Sequence, residues 1–394
     1  MRRLLSVNML DAFVGGAYTL AIPLLLVERN IDLETIGLVF SALPLVFVIS
    51  RLFISASADS VGLRKFFNLN AITSLASVVL YWLSSSSASY ALAKGAQGLK
   101  DASLWAVNRN AAYEIVGDRD ADVAAKVIFV RALPSATGAI VSGFLIFWAG
   151  FTSVFILLAL VSLLIFIPAR MLRIGTKEEK PILVEVVRKL DPRSITKPVW
   201  HASIVMIFYF LASALAIGFI LPIFLRSRGF DYWAIGILIA MYNALGAGLL
   251  LLTAQRTLTL KKAILIQALL YLPAALIIPL SEGWLLIILI VTMAVADWTS
   301  YVTMEYVVVD AIRGCENIAS AISYLFTPGQ LSSIIGFILA GVLVETYGYI
   351  AAFWVGGFFF VTYSASALLF HNREAMREKR ALNESNKLHP ILPA

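Results

Sequence analysis

Twelve apolar runs, each long enough to cross a membrane as a helix, constrain this 394-residue chain more than any other feature. About 20 mostly apolar residues, wound as a helix, span the roughly 30 Å of bilayer hydrocarbon. The runs fall at 4–27, 36–57, 66–86, 90–116, 124–149, 152–173, 199–225, 233–254, 261–280, 283–311, 318–343 and 349–371. All are expected to be helical, because an open sheet would leave backbone groups unpaired in lipid. Composition excludes an ordinary soluble domain. Apolar residues make up 60% and charged residues only 14%, whereas soluble domains are about 25% charged. The first run is too long for a secretory signal and lacks a small-residue cleavage site, so it reads as span one.

Basic residues in the connections set the expected orientation, since Lys and Arg accumulate on the cytoplasmic side. One side holds Arg2, Arg3, Arg64, Lys65, Arg119, Lys126, eight basic residues from Arg170 to Lys197, Arg256, Lys261, Lys262, Arg313 and five more after His371. The other side holds only Arg29, Arg226 and Arg228. Both termini are therefore expected in the cytoplasm, with the chain multi-pass in the plasma (inner) membrane. The net charge of +7 follows from this bias and from the anionic inner leaflet. A nucleic-acid partner is not needed to explain it. The single cysteine, Cys315, lies in an expected cytoplasmic loop, and one cysteine cannot form an intrachain disulfide.

The chain repeats itself at half its length. IPLLLVERNIDLETIG at 22–37 aligns with LPIFLRSRGFDYWAIG at 221–236, matching Pro23, Leu26, Arg29, Asp32, Ile36 and Gly37 to Pro222, Leu225, Arg228, Asp231, Ile235 and Gly236. Late in each half, Gly138, Gly143 and Gly150 correspond to Gly336, Gly341 and Gly348. Two matches at nearly one offset imply two six-helix bundles in the same orientation, 1–173 and 199–372. A charged cytoplasmic linker at 174–198 joins them, and 373–394 forms a cytoplasmic tail. Within the linker, KPILVEVVRKL could form a short amphipathic helix on the inner surface.

Parallel halves with a long central loop are the layout of secondary transporters whose halves rock about a midplane site. The stretch between spans two and three reads Ser55-Ala-Ser-Ala-Asp59-Ser60-Val-Gly62-Leu-Arg64-Lys65. It resembles the inner gate motif of the major facilitator superfamily, Gly-x-x-x-Asp-Arg/Lys-x-Gly-x-Arg/Lys-Arg/Lys, at Asp59, Gly62, Arg64 and Lys65. Ser55 and Ser60 depart from it. The second-half counterpart, from Gln255 to Lys262, keeps its charge but lacks the Asp and Gly. The resemblance implies an all-α membrane fold of twelve helices in two pseudo-symmetric bundles, with spans one, four, seven and ten lining the substrate path. In span four, Lys94-Gly-Ala-Gln97-Gly98 resembles the family's Arg-x-x-Gln-Gly with Lys for Arg. The resemblance implies that this cation tunes a nearby carboxyl's proton affinity.

Helical spacing sorts the remaining intramembrane polar residues. Lys94, Asp101, Trp105, Asn108 and Ala112 share one stripe of span four, and a polar stripe cannot face lipid. Lys100 lies off the stripe, and Arg109 at its edge. Lys100 and Asp101 diverge by about 100° and are expected to be poor partners. Span one offers Asn8, Asp11, Gly15 and Tyr18, while span ten offers Asp297, Tyr301 and Met304 with Glu305 nearby. Span two adds Arg51, span five Arg131, Ser135 and Ser142, and span seven Tyr209 and Ser213 with His201 at its end. By depth, Asp101 and Asp297 fall near the midplane, with Asp11, Arg51, Arg109, Arg131 and Glu305 toward the inner third. Arg51, Arg131 and Lys100 suit either a structural or a functional role. Glu114, Asp118 and Asp310 are expected to join the charges around Asp59 and Arg64.

The sequence holds no Walker-type phosphate loop, no His/Cys metal cluster and no nucleophile–base arrangement. No enzyme activity, cofactor or metal is therefore expected. The expected function is secondary active transport of a small organic solute, proton-coupled, by alternating access in a monomer. The coupling and substrate candidates are Asp11, Lys94, Asp101, Asn108, Arg109, Arg131, Asp297, Tyr301 and Glu305. Asp101 or Asp297 is the expected proton carrier, with Asp11 in reserve. The basic residues of the first half suit an anionic metabolite, whereas the acidic residues of the second suit a cation or lipophilic drug. Span five lacks the Gly-Pro-x-x-Gly-Gly run common in the family's antiporters, which weakens an efflux reading. A non-transporting sensor would also fit the fold.

Overall fold

The computed structural model describes residues 1–116, 121–172, 174, 196–254, 259–313, 315 and 318–388. Side chains are described at these residues except 59–61, 109, 113, 116, 121–129, 245–254, 318–320, 374–375 and 377–388. The expected linker helix, Asp118, Arg119 and the side chains of Asp59, Arg109 and Lys126 thus lie outside what is described. Among the described residues the chain is helical throughout, with no strand.

The spans follow in order. Span one is Arg2–Glu28, span two Leu33–Val61 and span three Leu63–Leu83. Span four is Ser87–Trp105, continued by Asn108–Val116, and spans five and six share Ala121–Met171. Span seven is Lys197–Ala216 with Ile220–Ser227, span eight Tyr232–Ala254 and span nine Leu260–Ile277. Spans ten, eleven and twelve are Gly283–Ile312, Ile318–Tyr347 and Tyr349–Leu388. Nine stretches of the described residues are long and apolar enough to cross a membrane, and Val130–Met171 among them is 42 residues, two spans long. The apolar part of span eight is shorter, Tyr232–Ala244. Span four is the most polar crossing, because it carries Lys94, Lys100 and Asp101. Together these make the twelve segments of two six-helix bundles.

Local chemistry fixes where helices start and stop. Asp32 caps span two, its carboxylate accepting the Thr35 N–H at 2.8 Å; these bonds hold its carboxyl below the usual range. Ser86 and Ser89 form a reciprocal capping box at the head of span four. Gly150 divides spans five and six with φ +74°, and its repeat mate Gly348 divides spans eleven and twelve with φ +77°. Only glycine takes that backbone without strain.

Three expectations about helix continuity change, the first being span seven, expected unbroken over 199–225 but interrupted at Ile217–Phe219. Span four is not one helix over 90–116: it breaks at Ala106–Val107, and Asn108 starts a second segment. Span twelve runs on to Leu388 rather than ending at 371.

The internal repeat becomes a pair of mirrored crossings between the halves. A Cβ on Gly143 of span five would lie 2.6 Å from the Tyr232 carbonyl oxygen of span eight. One on Gly341 of span eleven would lie 2.3 Å from the Leu33 carbonyl oxygen of span two. Leu33 and Tyr232 are themselves repeat mates. Nearby, Tyr232 donates to Glu28 at 2.8 Å, the Leu33 N–H donates to Glu345 at 3.1 Å, and Phe40 packs on Phe219 and Phe337. These contacts seal the halves together at the end opposite the termini. Toward the terminal end, Arg51 of the first half meets the Phe326 ring of the second, 5.7 Å from its centroid.

Candidate functional site

In the first half, one carboxylate organises the polar interior. Asp11 is fully buried on span one and accepts from the Lys100 ammonium at 2.8 Å and the Arg131 guanidinium at 2.8 Å. Asn70 of span three donates to it at 3.1 Å and also to the Lys100 carbonyl at 3.0 Å. The Lys100 ammonium reaches Asp101 at 3.0 Å as well. Asn8 and Asn108 exchange amide hydrogen bonds at 2.9 and 2.8 Å, and Arg131 donates to Asn8 at 3.1 Å. Arg131 also lies over the Trp105 ring, 4.9 Å from its centroid. Two cations thus meet two carboxylates across spans one, four and five. Charges removed from water gain most when paired and fully hydrogen-bonded.

This network corrects two expectations. Lys100 and Asp101 are partners, because a long lysine stem wraps around its helix where backbone angles alone set the pair apart. One ammonium also bridges Asp11 and Asp101. The stripe of span four is also divided: Asp101 and Asn108 join the network, whereas Lys94 does not. Lys94 is buried with its ammonium 3.9 Å from the centroid of the Phe40 ring, a cation–π contact. Among the described residues it forms no ion pair. Its neighbour in the motif, Gln97, accepts from Tyr81 at 2.9 Å.

The second half is built differently. Asp297 of span ten is buried, 6% exposed, and accepts from the Tyr209 hydroxyl at 3.4 Å. Among the described residues no Lys, Arg or His pairs with it. The Tyr242 hydroxyl lies beside it, outside hydrogen-bonding geometry, and has no other partner among the described residues. Tyr209 meets Tyr301 edge-on at 6.1 Å, and Trp298 lies 5.0 Å from Tyr301 between ring centroids. These groups enclose a cavity of about 150 Å³, reached from the first half by Thr19. The Trp298 indole N–H is held by the Tyr242 carbonyl at 3.0 Å, which fixes the ring. Behind it, Thr303 donates to Gln267, and Gln267 to Ser364, both at 2.8 Å.

Other candidates lie elsewhere. Glu305 is exposed and away from the box. Asp310 does not join the charges near Arg64: it binds His371 at 3.1 Å and Arg313 at 3.5 Å, within the second half. Arg373 approaches His201 at 3.4 Å in the same region. In the gate motif Gly62 has φ +89°, Lys65 is exposed, and Arg64 donates to the Arg170 carbonyl. Sequence reasoning did not single out Asn70, Tyr242 or Trp298. Asn70 carried a signal, an amide within an apolar run; the two aromatics did not, because aromatic residues are common in every span.

Comparison with known proteins agrees with this architecture. No curated protein matches the sequence. Among solved structures, the nucleoside transporter NupG is 13% identical, with a TM-score of 0.73 over 94% of this chain and 98% of that one. The human organic anion transporter MFSD10 (TETRAN) is 16% identical, with a TM-score of 0.63 over 93% and 99%. A proton-dependent oligopeptide transporter is 13% identical, with a TM-score of 0.75 over 95% and 99%. At such identities the likeness is one of fold. The Major Facilitator Superfamily model matches residues 4–313, and the chain therefore belongs to the major facilitator superfamily of transporters.

Proposed function

We propose that the protein is a proton-coupled secondary transporter of a small organic solute, working by alternating access, with Asp297 as the proton carrier. The carrying observation is a buried carboxyl facing a cavity with no cation paired to it among the described residues. An unpaired charge removed from water costs several kcal/mol. Such a carboxyl gains from binding a proton while sealed, and loses that gain when rocking exposes it to water. Asp11 and Asp101 already have cationic partners, so they are weaker carriers and better suited to holding spans one, four and five in register. The neighbouring structures are named for nucleosides, organic anions and oligopeptides, small organic solutes all, and one is named proton-dependent.

With both termini in the cytoplasm, as the basic residues indicate, the end joined by the mirrored crossings faces outward and a monomer suffices for transport. The test uses proteoliposomes loaded with a pH-sensitive dye and challenged with uridine, a dipeptide, benzoate or tetramethylammonium. Solute-driven proton movement is expected for at least one of the four. It should be abolished by Asp297→Asn and retained by Asp101→Asn. Intact coupling in Asp297→Asn would refute the assignment. A protein that binds solutes without moving them would favour a sensor, which the fold alone also permits.

A further inference from the structure

The walls of the Asp297 cavity point to one class of occupant, and this inference rests on the cavity being the solute site. Tyr209, Tyr242, Trp298 and Tyr301 surround a carboxyl that lacks a counter-ion among the described residues. Among those residues, the titratable groups that feel the Asp297 charge are all tyrosines: Tyr209, Tyr242, Tyr271, Tyr301 and Tyr363, from spans seven, eight, nine, ten and twelve. Four aromatic side chains, Tyr209, Tyr242, Trp298 and Tyr301, thus line the cavity beside the carboxyl. Aromatic faces attract cations through the ring quadrupole, and desolvation strengthens that attraction. Two buried polar groups remain open to a guest, the carboxylate with its single long hydrogen bond at 3.4 Å and the unpartnered Tyr242 hydroxyl.

Anionic solutes fit poorly, because no Lys, Arg or His is among the described residues lining the cavity. Lys100 and Arg131 are spent on Asp11 and Asp101, and Lys94 sits on the Phe40 ring. Size narrows the class further. The cavity of about 150 Å³ matches engineered pockets of about 150 Å³ that hold benzene, so a guest of similar bulk fits. We propose that this cavity binds a small organic ammonium ion, with its charge on Asp297 and its alkyl groups against the rings. Proton and ammonium then compete for one carboxylate, so each ion entering from one side displaces the other.

Isothermal titration of the purified full-length protein with tetramethylammonium, tetraethylammonium and uncharged tert-butanol tests this. Tetramethylammonium is expected to bind, with affinity falling about tenfold per unit of acidification once protons dominate. Asp297→Asn should abolish binding, and Trp298→Leu or Tyr301→Leu should weaken it about tenfold. Melting temperatures of each variant establish that it is folded; Trp298→Leu carries the test if Asp297→Asn is not. Binding unchanged in Asp297→Asn, equal binding of tert-butanol, or no heat from either ammonium would overturn the proposal. If ammonium fails to bind while Asp297 still governs proton movement with uridine, the dipeptide or benzoate, only the substrate class is wrong. If ammonium binds through Asp297 but proton movement survives Asp297→Asn, the cation site stands and the coupling assignment falls.

Discussion

The two halves share a backbone plan but have opposite interiors. In the first, Asp11 and Asp101 are matched by Lys100 and Arg131, and the Asn70 amide adds a further bond to Asp11. In the second, Asp297 faces rings and hydroxyls without a cation among the described residues. The same helix arrangement therefore supports a charge-balanced brace on one side and an unbalanced carboxyl on the other. The unbalanced carboxyl is the one that faces a cavity, and so has a charge it can exchange with a passing ion. A transporter needs both: one body that keeps its shape while rocking, and one group whose partner changes with access.

The strongest way to break this comparison is to unbalance the brace. Asp11→Ala leaves Lys100 with Asp101 alone and Arg131 with no carboxylate, and should destabilise the protein by about 3–5 kcal/mol. Thermal or denaturant unfolding in detergent measures this. A loss below about 1 kcal/mol would mean that water already screens the network. Asp297→Asn, the matching change in the second half, should leave the melting temperature nearly unchanged while abolishing coupling. If it instead destabilised as much as Asp11→Ala, the two interiors would not differ in kind.

The mirrored crossings offer a smaller perturbation. Gly143→Leu and Gly341→Leu each drive a side chain into a carbonyl, at 2.6 and 2.3 Å for the Cβ alone. Both should open the end opposite the termini. In a Cys315→Ser background, Thr19→Cys should then react several-fold faster with an impermeant maleimide applied from that side. Unequal effects of the two glycines would show that the pseudo-symmetry does not extend to the gate. The smallest effect is expected at Asp32. Asp32→Ala removes the cap of span two and should cost no more than about 1 kcal/mol. Because the folded carboxyl lies below its usual range, that contribution is present at neutral pH and fades as acid protonates it. Unfolding compared at pH 7 and at strongly acidic pH should show the difference between wild type and variant closing.

The fold was legible because its signals are long and redundant. Each span needs only sustained apolarity, and the offset between Asp32 and Asp231 or between Gly150 and Gly348 survives exchange of most residues around them. Asp297 stood out as a candidate for a related reason, since a carboxyl in an apolar run has few neutral explanations. The partners were not. Helical wheels place backbones, so they set Lys100 apart from Asp101, yet a four-carbon stem spans that angle. They also drew one stripe through span four, which the turn at Ala106–Val107 interrupts.

The sequence by itself determined a membrane-embedded, twice-repeated helical chain, because lipid penalises exposed charge and unpaired backbone at every position along it. Tertiary structure alone decided which charges cancel. Asp11, Asn70, Lys100 and Arg131 come from four different spans, and Asp297 gains its aromatic box from three. Electrostatic compensation depends on distances of a few ångströms between segments tens to hundreds of residues apart, and those distances are set only when the helices pack.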